Sequence, residues 1–177
     1  MLFTGKGDGG TTTVFGCNQQ RISKSSELPE ALGALDELNA YLGFVKMRAG
    51  KNKRIAHTLR DVQETLFIIQ AEVAGADKTV EEATTSHVEK LINGIEKELP
   101  PLKGFSIAGG TELSALLDVA RTLARRAERR LTTVVEAGGR ELPPETKAYM
   151  NRLSSLLFAL ARLANHDASV PEENPKY

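Results

Sequence analysis

Residues 111–139 read TELSALLDVARTLARRAERRLTTVVEAGG, and this stretch decides the fold. Leu113, Leu116, Leu117, Ala120, Ala124, Ala127, Leu131 and Val134 recur at steps of three and four, the period of a helix with one apolar face. Gly138-Gly139 stops the run, because glycine readily takes the left-handed conformation that closes a helix. Such a face is stable only when other elements cover it.

Partners lie on both sides. From Pro29 to Ala49 the apolar positions Ala31, Leu35, Leu38, Leu42 and Val45 keep the same step. After the basic turn GKNKR (50–54), Ile55, Leu59, Val62, Leu66, Ile69 and Val73 mark a second helix. Thr84, Thr85 and Ser86 offer N-caps for a third, which carries Val88, Leu91, Ile92 and Ile95 and ends at Pro100-Pro101. KGFSIAGG (103–110) reads as a loop, and Pro143-Pro144 opens a fifth helix with Met150, Leu153, Leu157, Leu160 and Ala164 on one face. Five amphipathic helices with short turns predict an all-α bundle, and no period-two alternation is long enough to require a sheet. Residues 1–29 read as an irregular segment of the same domain, 30–166 as the helical bundle and 167–177, ending in VPEENPKY, as an irregular tail.

A length of 177 residues suits one domain with a substantial core. Lys+Arg number 23 and Asp+Glu 23, a balance that argues against a nucleic-acid or acidic-membrane binder. The single Cys17 excludes an intramolecular disulfide, a four-cysteine zinc site and CxxC redox chemistry. MLFTGKGDGG at the start lacks the basic and apolar regions of a signal peptide, and no uncharged run reaches membrane-spanning length, so a cytoplasmic location is expected. His57, His87 and His166 are scattered without metal-ligand spacing.

Some residues exceed the needs of a bundle. The run TGKGDGGTTT (4–13) combines glycines, which free backbone N–H groups to face an anion, with hydroxyls and a lysine. It is not a Walker A loop, since Gly7 follows Lys6, and composition alone equally allows a loose terminus. On the fourth helix, Asp118, Arg121, Arg125 and Glu128 each lie one residue beyond the apolar line, about 100° round the helix. A solvated charge stripe is the plain reading of that face; a second subunit docked beside it would turn the two arginines into forked donors for a polyphosphate. Arg126, Arg129 and Arg130 lie further round and are expected to face solvent. Asp36 and Asn39 share a polar line on the first helix, where the carboxylate could meet an arginine from elsewhere. Asn151, Ser155, Phe158, Arg162 and Asn165 repeat along the fifth, with Asn151 read as a buried amide or, more plainly, a helix-surface one.

Taken together, TGKGDGGTT (4–12), LGALDELNA (32–40), ARTLARRAERR (120–130) and NRLSSLLFALAR (151–162) resemble, in order across nearly the whole chain, the PduO-type ATP:cob(I)alamin adenosyltransferases. The resemblance implies an up-down, ferritin-like five-helix bundle assembled as a homotrimer, with ATP at the subunit interfaces. It further implies transfer of the 5′-deoxyadenosyl group of ATP to the cobalt of reduced cobalamin, with release of triphosphate and use of Mg2+. Matching residue by residue, Thr4, Gly7, Asp8, Gly10 and Thr12 fall on the family's ATP-binding loop, and Lys24 on its phosphate-contacting lysine. Arg121 and Arg125 fall on the arginines that grip the triphosphate, with Arg126 and Glu128 on adjoining positions of that motif. Asp36 falls on the aspartate that pairs across the interface with Arg121, Asn151 on the asparagine of the nucleotide site, and Phe105 on the corrin-side phenylalanine that helps displace the lower axial ligand. Gly5 departs from the pattern, for the basic residue expected there comes one place later as Lys6. A reductase that supplies Co(I) is an implied further partner. Two other readings stand beside this one: a nucleotide-binding scaffold that has lost transfer, and an arginine-helix nucleic-acid binder, which the neutral charge and missing aromatic platforms disfavour.

Overall fold

The structure, a computed structural model, describes residues 3–17, 20–102 and 104–177. Its five long helices are α1 (Glu27–Arg48), α2 (Lys53–Ala74), α3 (Glu82–Glu98), α4 (Glu112–Glu136) and α5 (Pro144–Asp167). The apolar stripes read from the sequence are the buried faces: Leu117, Ala120, Ala124, Ala127 and Val134 of α4 are wholly inaccessible, as are Leu35, Leu38, Leu42 and Val45 of α1. α4 packs against α1 on one side and α5 on the other; α2 extends the array beyond α1, and α3 beyond α5. α5 is the most enclosed helix, with every residue from Ala159 to Asn165 buried, as expected of a helix covered on all sides. Burial pushes its Tyr149 hydroxyl up to about 12, because the phenolate would lose its hydration there.

Helix ends follow local chemistry. Thr111 caps α4 by accepting from the Ser114 N–H at 3.1 Å, and Asn52 caps α2 by accepting from Ile55 at 3.2 Å. Gly138, at φ +69°, closes α4 as the sequence indicates. α3 departs from expectation, starting at Glu82 behind Glu81 rather than at the Thr84–Ser86 triplet. Those hydroxyl residues lie inside the helix, and buried Thr85 donates instead to the Glu145 carbonyl of α5. α1 starts at Glu27, two residues before Pro29, which the first turn tolerates because its N–H would lack a helical partner anyway.

Beside the helices the described residues form one small hairpin. β1 (Thr11–Thr13) pairs antiparallel with β2 (Arg21–Ser23), Thr12 opposite Ile22. Strands of three residues are too short to carry a readable alternation. The turn after β1 docks on the bundle through close backbone contact: a Cβ on Gly16 would lie 2.8 Å from the Ala74 carbonyl oxygen and 2.9 Å from Gly75 Cα.

Candidate functional site

Two groups of unusual residues occupy separate parts of the chain. The first is the glycine-rich loop ahead of β1. Two successive tight turns shape it, with the Asp8 N–H donating to the Gly5 carbonyl and the Gly10 N–H to the Gly7 carbonyl, both at 3.1 Å. Gly5 and Gly10 adopt φ of +68° and +75°, which glycine reaches without steric cost. The hairpin braces the loop: Arg21 donates to the Thr11 hydroxyl and carbonyl and to the Lys6 carbonyl, and the Lys24 N–H donates to the Gly10 carbonyl at 2.9 Å. The Lys24 ammonium hangs over Gly7, where an added Cβ would lie 3.0 Å from Nζ. Thr4, Gly7, Asp8, Gly10, Thr12 and Lys24 therefore belong to one compact unit.

The second group surrounds a cavity of about 550 Å³ lined by Leu102, Gly104, Phe105, Arg121, Arg125 and Phe158, together with neighbouring serines. Arg121 is held, its Nε 3.3 Å from Asp118 Oδ1 and its guanidinium 6.0 Å from the centre of the Phe158 ring. Asp118 is itself fixed by accepting from the Gly109 N–H at 3.2 Å. Arg125, one turn on, is exposed and has no ion-pair or hydrogen-bond partner among the described residues. Phe105 is 80% exposed, an apolar ring placed in solvent beside two cations. Lys103, at the start of the same loop, lies outside the described residues.

Further along this face, the Asn151 amide donates to Glu128 Oε1 at 3.0 Å and accepts from Arg152 at 2.6 Å. Asn151 is exposed, which corrects its reading as a buried amide. The buried polar members of its line are Arg162 and Asn165, at the other end of α5. Asn165 accepts from the Thr111 N–H and hydroxyl and donates to the Gly109 carbonyl at 2.8 Å, so closely that a Cβ on Gly110 would sit 2.6 Å from its Oδ1. Their helical spacing with Phe158 marks them in the sequence, but not which of them is buried. Arg126 and Arg130, expected to face solvent, are exposed and also form ion pairs with Glu37 and Glu30 of α1. Asp36 stands exposed on α1 without a bonded partner among the described residues, and none of the described hydrogen bonds or ion pairs joins the glycine-rich loop to Arg121 or Arg125. Among the described residues no three His, Cys, Asp or Glu side chains converge as a metal cage, and no helix is long and apolar enough to cross a membrane.

The described residues make an all-α bundle with an arginine pair, an exposed aromatic ring and a glycine-rich loop, a set of donors suited to an anion, and without the strand-to-helix phosphate loop of sheet-based nucleotide binders. Its fold is that of two solved variants of a PduO-type ATP:corrinoid adenosyltransferase from Lactobacillus reuteri. One, complexed with cobalamin and ATP, superposes with a TM-score of 0.92 at 29% identity over all of both chains. Another, complexed with ATP, gives 0.91 at 28% identity over 99% of this chain and 100% of that one. The corrinoid adenosyltransferase of Mycobacterium tuberculosis is 34% identical across 96% of this chain and 91% of its own length. The corrinoid adenosyltransferase PduO of Citrobacter freundii is 38% identical across 94% of this chain, which spans 50% of that longer protein. The cobalamin adenosyltransferase profile matches residues 2–164, and the chain belongs to that family.

Proposed function

We propose that this chain transfers the 5′-deoxyadenosyl group of ATP to the cobalt of cob(I)alamin, forming adenosylcobalamin and releasing triphosphate. The observation that carries the reading is one shared cavity: Arg121 and Arg125, suited to a polyphosphate, open onto the same space as the exposed ring of Phe105. In the reaction, the Co(I) electron pair forms a bond to the ribose C5′ as the C5′–O5′ bond breaks, and its electrons leave on the triphosphate. Cobalt ends as Co(III), and atoms and charge balance without a general base.

The task of the protein is then alignment and relief of leaving-group charge. Arg121 and Arg125 grip the triphosphate. The Thr4–Thr12 loop presents its N–H groups and hydroxyls to the same phosphates, with Lys24 overhead, and Glu128 orients Asn151 toward the nucleotide. Because no hydrogen bond or ion pair among the described residues joins the loop to the arginines, they come together across a subunit boundary of a homotrimer, where Asp36 of one copy meets Arg121 of the next. Mg2+ fits as an ion carried by the phosphates, given the lack of a carboxylate cage among the described residues, and would supply further neutralisation of the leaving group. Phe105 occupies the lower face of the corrin, excluding the axial ligand and making Co(I) more accessible from Co(II). A cytoplasmic enzyme fed by a separate reductase completes the proposal.

The test is anaerobic. Purified chain, ATP with Mg2+ and chemically reduced cobalamin should give the absorbance change of adenosylcobalamin, with one triphosphate per cobalt–carbon bond. No cobalt–carbon bond under these conditions overturns the reading.

A further inference from the structure

The loop that carries Phe105 is not seated on packed core. Beneath it lies a cavity of about 180 Å³ whose wall includes Ile107, Asp118, Phe158, Arg162 and Glu172. Residues 104–110 of it form no helix or strand, and Gly109 and Gly110 at its end take φ of +119° and +101°. The Phe105 ring, 80% exposed, is not fixed by packing. Whatever sets this backbone must therefore be a set of polar contacts from outside the loop.

At one end that role falls to Asn165, which binds the Gly109 carbonyl and the Thr111 N–H. At the other it falls to the last residues of the chain. The Ile107 N–H donates to the Glu173 carbonyl at 2.8 Å, and the Asn174 amide donates to the Phe105 carbonyl at 2.7 Å. The tail is tied down in turn by Arg162, whose side chain is 8% exposed. Its Nε lies 2.5 Å from Glu172 Oε1, while Nη2 donates to Glu172 Oε2 at 3.2 Å and to the Pro100 carbonyl at 2.7 Å. One buried guanidinium thus joins α5, the segment after α3 and the tail. Because a buried arginine strongly disfavours losing its carboxylate, displacing the tail is costly.

We infer that Glu172–Asn174 form a latch that holds the Phe105 loop in register, with Arg162 as its base, and that Arg162, Glu172 and Asn174 are positioning residues for corrin binding. The role in corrin binding rests on the reading of Phe105 given above; the mechanical coupling of tail to loop does not. Residues 168–177 form no helix or strand, yet these contacts give the tail a defined place.

The test uses full-length variants. Asn174→Asp keeps the shape and removes the amide donor; the double change Glu172→Gln with Asn174→Asp also removes the charge that Arg162 holds; Lys176→Ala is the control. Amide hydrogen exchange at Ile107 reads the latch directly, and steady-state kinetics read its consequence. The double variant should exchange Ile107 about tenfold faster and raise the KM for cobalamin by about three- to tenfold, with the KM for ATP unchanged and a lower denaturation midpoint because Arg162 loses its carboxylate; Asn174→Asp alone should speed Ile107 exchange with global unfolding unchanged. Lys176→Ala should match the parent chain. Unaltered Ile107 exchange overturns the latch, whatever activity does. Faster exchange with an unchanged cobalamin KM overturns the positioning role. Should the parent chain form no adenosylcobalamin at all, the functional reading fails, and Ile107 exchange still decides the latch.

Discussion

Replacing Arg125 and Arg121 in parallel separates binding from folding. Arg125 is exposed and unbonded within the described chain, so Arg125→Ala should shift unfolding free energy by no more than about 0.5 kcal/mol, the usual range for such surface changes. Its proposed work is two charge-assisted hydrogen bonds to phosphate. At about 1.5–3 kcal/mol for each bond to a charged group, reduced because neighbouring donors remain, the loss comes to about 3–4 kcal/mol. That is about 10²–10³-fold in kcat/KM for ATP. Arg121 does two jobs. Besides facing the same cavity it neutralises Asp118, whose side chain is only 12% exposed, so Arg121→Ala should bring a comparable kinetic loss and also cost about 1–2 kcal/mol of stability. Arg121→Lys should recover most of the stability but little of the rate, since lysine lacks the guanidinium fork. Urea unfolding and ATP saturation kinetics on the same preparations make the comparison. A fully folded Arg125→Ala enzyme with unchanged ATP kinetics would refute the assignment of this helix face.

Other consequences are sharper in one readout than another. Phe105→Ala should leave stability and ATP affinity near parental values, because the ring is 80% exposed, while adenosylation falls sharply; calorimetric ATP titration beside the absorbance assay checks this. Gly16→Ala forces a Cβ to within 2.8 Å of the Ala74 oxygen and should destabilise the hairpin docking by about 1–3 kcal/mol, read as a lower denaturation midpoint and a raised KM for ATP. Asp36→Asn should weaken both assembly of the proposed trimer and turnover; sedimentation showing a fully active monomer would remove the proposed interface role. Tyr149 sets an alkaline limit. Its hydroxyl titrates near about 12 when folded, against an ordinary value of 10.0, so between these limits the unfolded chain ionises first. Stability should fall as pH climbs through that window, and Tyr149→Phe should flatten this part of the decline in denaturant titrations at pH 9 to about 12.

The helices were legible because their stripes are local and repeated: the steps of three and four through Ala120, Ala124 and Ala127 need no knowledge of the partner helix. Features that depend on what lies across the gap were not. Arg126 and Arg130 point away from the apolar line, and only the placement of α1 beside α4 brings Glu37 and Glu30 to them. Asn151 and Asn165 share one helical line, but Asn165 is buried because the 109–111 turn folds over it. The Thr84–Ser86 triplet looks like a cap until α5 offers Thr85 a carbonyl. Of the candidate site, the arginine pair and the glycine loop were readable as chemistry, while the common use proposed for them has no signal in either local pattern.

The small residues of α4 explain how one helix serves both core and site. Ala120, Ala124 and Ala127 are all fully buried, and their short side chains let α4 approach α1 and α5 closely. Arg121 and Arg125 each follow one of these alanines, so they emerge at the edge of the contact rather than from its centre. The packed alanines fix the backbone from which the cations project, yet none of the cations is needed to fill the core. A site supported in this way holds its geometry against the charge repulsion of neighbouring guanidinium groups, and its residues can change without unfolding the bundle. Enlarging the seam should therefore disturb the site from behind: Ala124→Leu would push α4 outward and move both arginines together. Its kinetic loss should be shared by Arg121 and Arg125 rather than additive with either, which a double-mutant cycle with Arg125→Ala measures.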